Sequence, residues 1–163
     1  MSDEPVANHT FGWTLGVLLR AYQSTVVTVI GDLPHGQRGY QTLAAVVSGR
    51  HPTQLALASY LGIDRTVLTY LVDDLVEAGL VERRLNPNDR RQRRIVATDK
   101  GERVYKELER RVSEAEDHLL GALSPDERTA FKDMLQRTAC AVSDIEPAKD
   151  PCQVAEEMLS DGG

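Results

Sequence analysis

Arginines are concentrated in one short stretch of a chain that is otherwise acidic. Residues 82–94 hold six arginines and two acids, a local charge of +4, whereas the whole chain carries a net charge of −6. The arginines are Arg83, Arg84, Arg90, Arg91, Arg93 and Arg94. A guanidinium is permanently charged and donates hydrogen bonds in a planar fork, which suits it to contact phosphate groups. Because most charge runs are solvated surfaces, the surrounding sequence must decide between the two interpretations.

A second group of polar side chains precedes the arginines, on residues 65 to about 78. Apolar residues recur there at spacings of three and four, which predicts an amphipathic helix. Its predicted buried face consists of Val67, Leu68, Leu71, Val72, Leu75 and Ala78. Its first turns leave outward Arg65, Thr66, Thr69, Tyr70 and Asp73. Hydroxyl and guanidinium groups can meet base edges or phosphates of DNA, although a merely solvated helix would show the same pattern.

A short helix and a tight turn are predicted immediately before this segment. The helix covers residues 53–60 and is expected to bury Leu55, Ala58 and Leu61. Gly62 permits the tight turn, and Asp64 stands where an N-cap carboxylate accepts hydrogen bonds from the next helical turn. Two helices joined in this way form a helix-turn-helix, whose second helix fits the major groove of DNA.

Two strands joined by a turn-rich loop are predicted after the second helix. They cover residues 80–85 and 93–97, with the loop at residues 86–92. The arginine cluster therefore falls on a hairpin that follows a helix-turn-helix. This order predicts a winged helix-turn-helix, a mainly α fold with a small β-wing (α+β). An arginine at the hairpin tip can enter a narrow minor groove while its neighbours contact phosphates.

Four further helices are predicted around the winged region. Two precede it, at residues 11–30 and 37–48, the second with Tyr40, Leu43, Ala44 and Val47 inward. Two follow it, at residues 99 to about 121 and 125 to about 143. Ser124 and Glu127 form a capping box at the start of the last helix, with Pro125 at its first position.

Length and composition favour one globular domain over residues 1–163. The chain is 41% hydrophobic and 27% charged, which is ordinary for a soluble protein. A net negative charge does not exclude DNA binding, because only the DNA-facing surface must be basic. Residues 1–8 do not resemble a signal peptide, and no stretch is long and apolar enough to cross a membrane. We therefore expect a cytoplasmic protein without membrane contact.

The segment LGIDRTVLTYLVDDLVEAGLVERR and the following NPNDRRQRRIVATDKG resemble the MarR family of winged helix-turn-helix regulators. The wing pattern of that family is close to Asp-Pro-x-Asp-x-Arg, followed by a strand ending in Leu-Thr and a helix with an early glycine. Residues 87–91, Thr98 and Gly101 match this pattern. The chain departs from it at two positions, where Asn86 replaces the first aspartate and Ala97 replaces the leucine. The motif match covers about residues 53–101, and the flanking helices extend it over most of the chain.

The resemblance implies a sequence-specific repressor that binds double-stranded DNA. The turn at residues 65–70 would enter the major groove, and Arg91 matches the wing-tip arginine that enters the minor groove. Asp89 matches the acid that holds this arginine in place. The neighbouring arginines expected to contact DNA are Arg84, Arg90 and Arg93.

The resemblance also implies a homodimer, in which the first and last helices of two protomers interleave. The dimerisation helices would occupy residues 10–36 and 112–163, and the winged DNA-binding region residues 37–111. Long apolar stripes on the terminal helices agree with this, because a small winged domain cannot bury them all. A two-fold dimer predicts a palindromic operator.

A small effector ligand, often aromatic or phenolic, is implied as well. In the family it binds between the dimerisation helices and the winged region and releases the operator. The candidate lining residues are Trp13, Tyr22, Tyr40 and Tyr70, whose rings carry a polar atom that can orient such a ligand. An ordinary core or surface aromatic is the simpler interpretation of each residue.

Enzymatic and metal-dependent functions leave little trace in the sequence. It contains no nucleophile elbow, no phosphate-binding loop and no HExxH motif, so we expect neither an enzyme nor a bound cofactor. The histidines lie far apart in the chain and show no metal-ligand spacing. They are His9, His35, His51 and His118. We therefore expect no metal site.

Two other functions remain open as alternatives. A thiol-based redox sensor would use Cys140 and Cys152, although a buried structural thiol is the simpler interpretation of Cys140. The peroxide-sensing branch of the MarR family carries its reactive cysteine early in the first helix, where this chain has none. A protein-interaction module could also use the winged fold without specific DNA binding, but the arginine-rich wing argues against it.

Overall fold

The computed structural model describes residues 10–145, with side chains up to residue 142. Its elements, in chain order, are α1 (Phe11–Ile30), α2 (Gly36–Ser48), α3 (Gln54–Leu61), α4 (Arg65–Glu77), β1 (Val81–Leu85), β2 (Arg93–Ala97), α5 (Asp99–Leu119) and α6 (Pro125–Ile145). Every predicted element is present, with bounds shifted by a residue or two at several ends. The mainly α fold with a small β-wing is therefore confirmed.

One apolar core holds α2, α3, α4 and both strands together. It consists of Leu43, Ala45, Val46, Leu57, Ala58, Leu68, Leu71, Val72, Leu75, Leu80, Val81 and Ile95. Complete burial of a leucine side chain stabilises a fold by about 1.5–3 kcal/mol. Because Leu68, Leu71 and Leu75 all lie in this core, one face of α4 is fixed inward and the opposite face points to solvent.

The buried face of the helix-turn-helix differs from the prediction at two positions. Leu55 is 54% exposed, and Leu57 occupies the core in its place. Val67 is 43% exposed, whereas its neighbour Leu68 is fully buried. The alternation of leucine and alanine in α3 offers two possible apolar faces, and packing against α4 selects the one that contains Leu57.

The inward face of α2 is also shifted by one residue from the prediction. Ala45 and Val46 are buried, whereas Ala44 and Val47 are only half-buried. Four small apolar residues in succession satisfy more than one helical phase. The choice between phases is made by the neighbouring helices and strand that the core brings together.

The wing is tied at its base to the start of α3. β1 pairs with β2 in antiparallel register, and Thr53 adds a single bridge to Arg94. The Ile95 N–H donates a hydrogen bond to the Pro52 carbonyl at 2.9 Å. These contacts fix the hairpin relative to the helix-turn-helix.

The connection from the wing to α5 depends on a close approach of two backbones. A Cβ atom added to Gly101 would lie 1.9 Å from the Leu80 carbonyl oxygen. The Thr98 hydroxyl caps α5, accepting from the Gly101 N–H at 3.0 Å and donating to the Gly79 carbonyl at 2.6 Å. The early glycine of the helix thus has a steric cause, since any larger residue would push α5 away from the wing.

A second, smaller cluster joins α1 to α5. It consists of Val26, Ile30 and Val112, with Tyr22, Val29, Leu33 and Tyr40 packed around it. Because Leu33 and Tyr40 lie next to the winged region, this cluster is the junction between α1, α5 and the winged region.

The last helix, α6, is linked to α5 by Lys132, whose ammonium lies 3.0 Å from Glu116 and 3.3 Å from Asp117.

Large apolar side chains are left exposed on α1 and α6. They are Phe11, Trp13, Leu15, Val17 and Val27 on α1, and Met134, Leu135 and Val142 on α6. A cavity of about 410 Å³ lies between α1, α5 and α6 and is lined mainly by leucines and by Phe131. Large exposed apolar side chains that are concentrated on two helices are a feature of protein–protein interfaces.

Within residues 10–145, no single helix combines the length and the apolar composition needed to cross a membrane. The helices α3 and α4 pass that test only when they are joined across their bend of 113°. Their apolar residues form the core of the winged region.

Candidate nucleic-acid interface

The N-terminal turn of α4 is held in place by Asp64. One oxygen of its carboxylate accepts from the backbone N–H of Thr66 at 2.7 Å and of Val67 at 3.4 Å. These hydrogen bonds favour the ionised carboxylate and hold the pKa of Asp64 below its usual value. The predicted N-cap is confirmed, and it leaves Arg65 and Thr66 exposed at the start of the helix.

The four residues expected to read DNA from α4 differ in their surroundings. Arg65, Thr66 and Tyr70 are exposed, whereas Thr69 is half-buried. The Thr69 hydroxyl donates to the Arg65 carbonyl at 2.8 Å and accepts from the Gln54 side-chain amide at 2.6 Å. Sequence reasoning did not single out Gln54, whose polar side chain at the first position of α3 was the available signal.

The tip of the wing is shaped by side chains that bond to the backbone. The Asn86 side-chain oxygen accepts from the Asn88 N–H at 3.1 Å, and an Asp89 carboxylate oxygen accepts from the Arg91 N–H at 2.9 Å. Asp89 thus fixes the backbone of Arg91 and leaves its guanidinium exposed. An amide oxygen at Asn86 accepts as a carboxylate would, which explains why this departure from the family pattern is mild.

The arginines of the wing fall into two groups. Arg90, Arg91 and Arg93 are exposed and form no ion pair within the described part of the chain. Arg84 is exposed too, but its guanidinium pairs with Glu82 of the same strand. Three positive charges are therefore freely available around the tip, and a fourth is partly neutralised.

Two further arginines of the cluster face the body of the winged region. Arg83 donates to the Asp73 carboxylate at 2.6 Å, and this pair joins β1 to α4. Asp73, which the sequence places among the outward groups of α4, is therefore engaged with the wing. Arg94 is half-buried, and its Nε atom has no hydrogen-bond partner among the described residues.

The arrangement as a whole suits duplex DNA. An exposed helix turn that carries hydroxyl and guanidinium groups and a hairpin whose tip carries unpaired arginines pack on one common core. A helix of this kind fits the major groove, and a wing arginine fits a narrow minor groove. Among residues 10–142, no group of three or more histidine, cysteine or acidic side chains is placed to hold a metal ion. The fold and the surface together define a winged-helix protein of the DNA-binding class.

The aromatic residues considered for an effector site are not all brought together. Tyr22 and Tyr40 pack on the same α1–α5 cluster, and the Tyr40 ring stacks on Tyr105 with centroids 5.9 Å apart. Burial is the main cause that raises the pKa of Tyr40. Trp13 is half-exposed on α1, and Tyr70 is exposed on α4. The structure therefore groups two of the four candidates.

The expectation of a buried thiol at Cys140 is wrong. Cys140 is exposed on α6, because nothing in the described chain covers that face of the helix. Its predicted partner in a redox mechanism, Cys152, lies outside the described residues.

Comparisons with known proteins agree with this architecture. A family model for the MarR family matches residues 39–92. An uncharacterized protein of Mycobacterium tuberculosis is 33% identical over 147 residues, which are 90% of this chain and 100% of that protein. The PcaV transcriptional regulator from Streptomyces coelicolor, in complex with its natural ligand, is 27% identical. It superposes with a TM-score of 0.66 over 87% of this chain and 99% of its own.

A MarR variant from E. coli complexed with operator DNA has the same fold. It is 23% identical, with a TM-score of 0.65 over 78% of this chain and 91% of its own. The chain belongs to the MarR family, as its helix-turn-helix and wing motifs predict. It is a DNA-binding transcriptional regulator by fold, and members of this family are transcription factors rather than enzymes.

Proposed function

We propose that the protein is a homodimeric repressor that binds a palindromic operator and is released by a small, aromatic ligand. The observation that carries this proposal is the exposed Arg91, whose backbone Asp89 fixes at the tip of a wing that packs on the same core as α4. The proposed DNA contacts are Arg65, Thr66, Thr69, Tyr70, Arg84, Arg90, Arg91 and Arg93. Arg65, Thr66 and Tyr70 would meet base edges, and Arg91 the minor groove.

The exposed apolar faces of α1 and α6 support the homodimer. Residues 10–36 and 112–163 are the proposed dimerisation region, of which residues 146–163 lie outside the described part of the chain, and residues 37–111 are the proposed DNA-binding region. A two-fold axis would place two recognition helices on one face of the duplex, about 34 Å apart, and so require a palindromic site. The E. coli structure bound to operator DNA supports the choice of duplex DNA as the partner.

The ligand proposal is supported by the complex of PcaV with its natural ligand. In this chain Tyr22 and Tyr40 pack against the α1–α5 cluster, which lies where α1 and α5 meet the winged region. A molecule bound there can have different affinities for two arrangements of the winged regions in the dimer. Such a difference in affinity is required if the ligand is to release DNA allosterically. Trp13 and Tyr70 lie outside this proposed site.

The proposal is tested by the anisotropy of a labelled duplex, titrated with the protein at several salt concentrations. The duplex is taken from the DNA directly upstream of the coding region, and a scrambled duplex is the control. We expect a dimer to bind with a Kd of about 10⁻⁸ to 10⁻¹¹ M at physiological salt, far more tightly than it binds the scrambled duplex. The affinity should fall steeply as salt increases, because phosphate contacts release counterions.

Weak and equal binding to both duplexes would direct the search to other operators. A genome-wide selection of bound fragments then decides the question. Enrichment of one palindromic sequence supports the proposal. A selection without any enriched sequence contradicts it and favours a winged fold that binds a protein partner.

A further inference from the structure

The loop between α1 and α2 contacts the recognition helix through one side chain. The His35 Nε2 atom lies 2.6 Å from a carboxylate oxygen of Asp74, 39 positions further along the chain. His35 has a φ of 61° and a ψ of 14°, and it is the one non-glycine residue with positive φ within residues 10–145. This left-handed conformation is unfavourable for a residue with a Cβ atom, so the surrounding structure must impose it.

The loop that presents His35 is held on both sides. Leu33 packs against the winged core and against the α1–α5 cluster. A Cβ atom at Gly39 would lie 1.9 Å from the Pro34 carbonyl oxygen, so α2 lies directly on the loop backbone. His35 therefore projects from a firmly packed support, and its contact with Asp74 joins the end of α1 to α4.

Asp74 is one of two adjacent acids that hold α4 to different parts of the molecule. Asp73 holds Arg83 of the wing at 2.6 Å, and Asp74 holds His35 of the loop at 2.6 Å. The side chains of His35 and Asp74 are 35% and 52% exposed, so their contact adds little to the free energy of unfolding. Its consequence is geometric, since it adds a direct link between the loop after α1 and a helix whose inward face is fixed by the core.

We infer that His35 is a positioning residue for DNA recognition, and that its contact with Asp74 sets the separation of the two recognition helices in the dimer. The inference rests on the proposed function, because it requires a dimer on a palindromic operator. α1 carries an apolar face proposed to meet the second copy, and α4 carries the DNA-reading side chains. In a dimer without the His35–Asp74 contact, the distance between the two recognition helices can adjust to half-sites at other spacings.

The test uses three duplexes that differ only at the centre of the operator. They are the bound duplex itself, and the same duplex with one base pair inserted or deleted between the half-sites. The proteins are the unaltered chain, His35→Asn, Asp74→Ala and the double variant. Asparagine tolerates positive φ, so His35→Asn removes the imidazole while keeping the loop conformation accessible. Asp74→Ala removes the acceptor altogether. Glu77→Ala, at an exposed position three residues further along α4, is the matched control.

The measured quantity is the ratio of affinities for the natural and the altered spacings. We expect the unaltered protein and Glu77→Ala to discriminate strongly. In His35→Asn and in Asp74→Ala the ratio should fall by about fivefold, the lower end of ordinary couplings between sites. The double variant should match the single ones, because both remove the same contact.

The outcomes separate this inference from the proposed function. If the unaltered protein discriminates and the His35 and Asp74 variants keep the same ratio, the inference is overturned and the repressor proposal stands. A loss of affinity that is equal on all three duplexes has the same meaning, since it indicates a structural role alone. An unaltered protein that binds all spacings equally refutes the palindromic dimer and this inference with it. Thermal melting curves of each variant verify that it is folded.

Discussion

Asp73 of the recognition helix accepts a hydrogen bond from the guanidinium of Arg83 at 2.6 Å, and Arg83 lies on the first strand of the wing. The pair links the two elements that are proposed to face DNA, in addition to the core beneath them. It also neutralises one of the six arginines of the wing segment. The proposed DNA-binding surface therefore contains the exposed arginines of the wing and lacks the charge of Arg83.

Replacement of Asp73 by alanine should release Arg83 without unfolding the protein. The pair is partly exposed, so the loss in the free energy of unfolding should stay below about 1 kcal/mol. The released arginine adds a mobile positive charge, and we expect tighter binding to a scrambled duplex and a steeper dependence on salt. Anisotropy with operator and scrambled duplexes measures both. A preference for the operator equal to that of the unaltered protein would show that the pair does not shape the interface.

Replacement of Arg91 by alanine should weaken operator binding by about 1–3 kcal/mol, the range for a lost arginine contact. If the lost contact is to phosphate, the slope of the logarithm of the binding constant against the logarithm of the salt concentration should become shallower by about 1. Arg110→Ala is the matched control, because Arg110 on α5 is held by Glu107 and Glu114. Equal affinities of the two variants would exclude Arg91 from the interface.

The Asn86 side chain should be replaceable by a carboxylate but not by a methyl group. Asn86→Asp keeps an oxygen acceptor for the Asn88 N–H, so operator affinity should be retained. Asn86→Ala removes the acceptor and should loosen the tip, which lowers operator affinity and accelerates exchange of the amide hydrogens of the wing. Hydrogen exchange of the two variants compares them directly. Similar exchange in both would show that the side chain does not order the loop.

Thr66 and Thr69 should respond differently to replacement by alanine. The exposed Thr66 is proposed to read a base, so Thr66→Ala should relax sequence preference by about 1–3 kcal/mol at one position of the operator. Thr69 bonds to Gln54, and Thr69→Ala should therefore have the same consequence as Gln54→Ala. A set of operators with single base-pair substitutions distinguishes these patterns. Different base preferences of the Thr69 and Gln54 variants would disprove a shared role.

Gly101→Ala should be among the most destabilising replacements of a small residue in this chain. Its Cβ would collide with the Leu80 carbonyl oxygen, and overpacking of this kind costs about 1–3 kcal/mol or more. Gly12→Ala is the control, because a Cβ at Gly12 meets nothing within 4 Å. In a helix that change stabilises by about 0.5–1 kcal/mol. In thermal or urea unfolding, the Gly101→Ala variant should be less stable than the unaltered protein and the Gly12→Ala variant more stable.

The order and type of the elements could be predicted because their signals are local. The caps at Thr53, Asp64 and Ser124 each involve a residue and the two or three that follow it. The helical phase could not be predicted where two apolar faces compete. Leu55 and Leu57 are chemically equivalent, and only the position of α4 decides which of them is buried.

Contacts between distant residues were beyond the reach of sequence patterns. Asp73 and Asp74 are adjacent and alike in sequence, yet one holds the wing and the other the loop before α2. Their partners follow from how α4 lies on the core, which no local pattern contains. The exposure of Cys140 has a related origin, because it depends on a covering surface that the described chain does not supply.

The unpaired arginines at the wing tip have a further consequence for how the molecule finds DNA. Residues 113–142, on α5, α6 and the turn between them, contain six acids and three bases, a net charge of −3. A chain with positive charge at one tip and an excess of negative charge elsewhere carries an electric dipole moment. The electric field of DNA, a polyanion, turns a molecule with such a dipole before contact so that the positive tip points toward the DNA. Encounters in which the acidic face comes first are repelled. Long-range orientation of this kind accelerates association and is lost as salt screens the field.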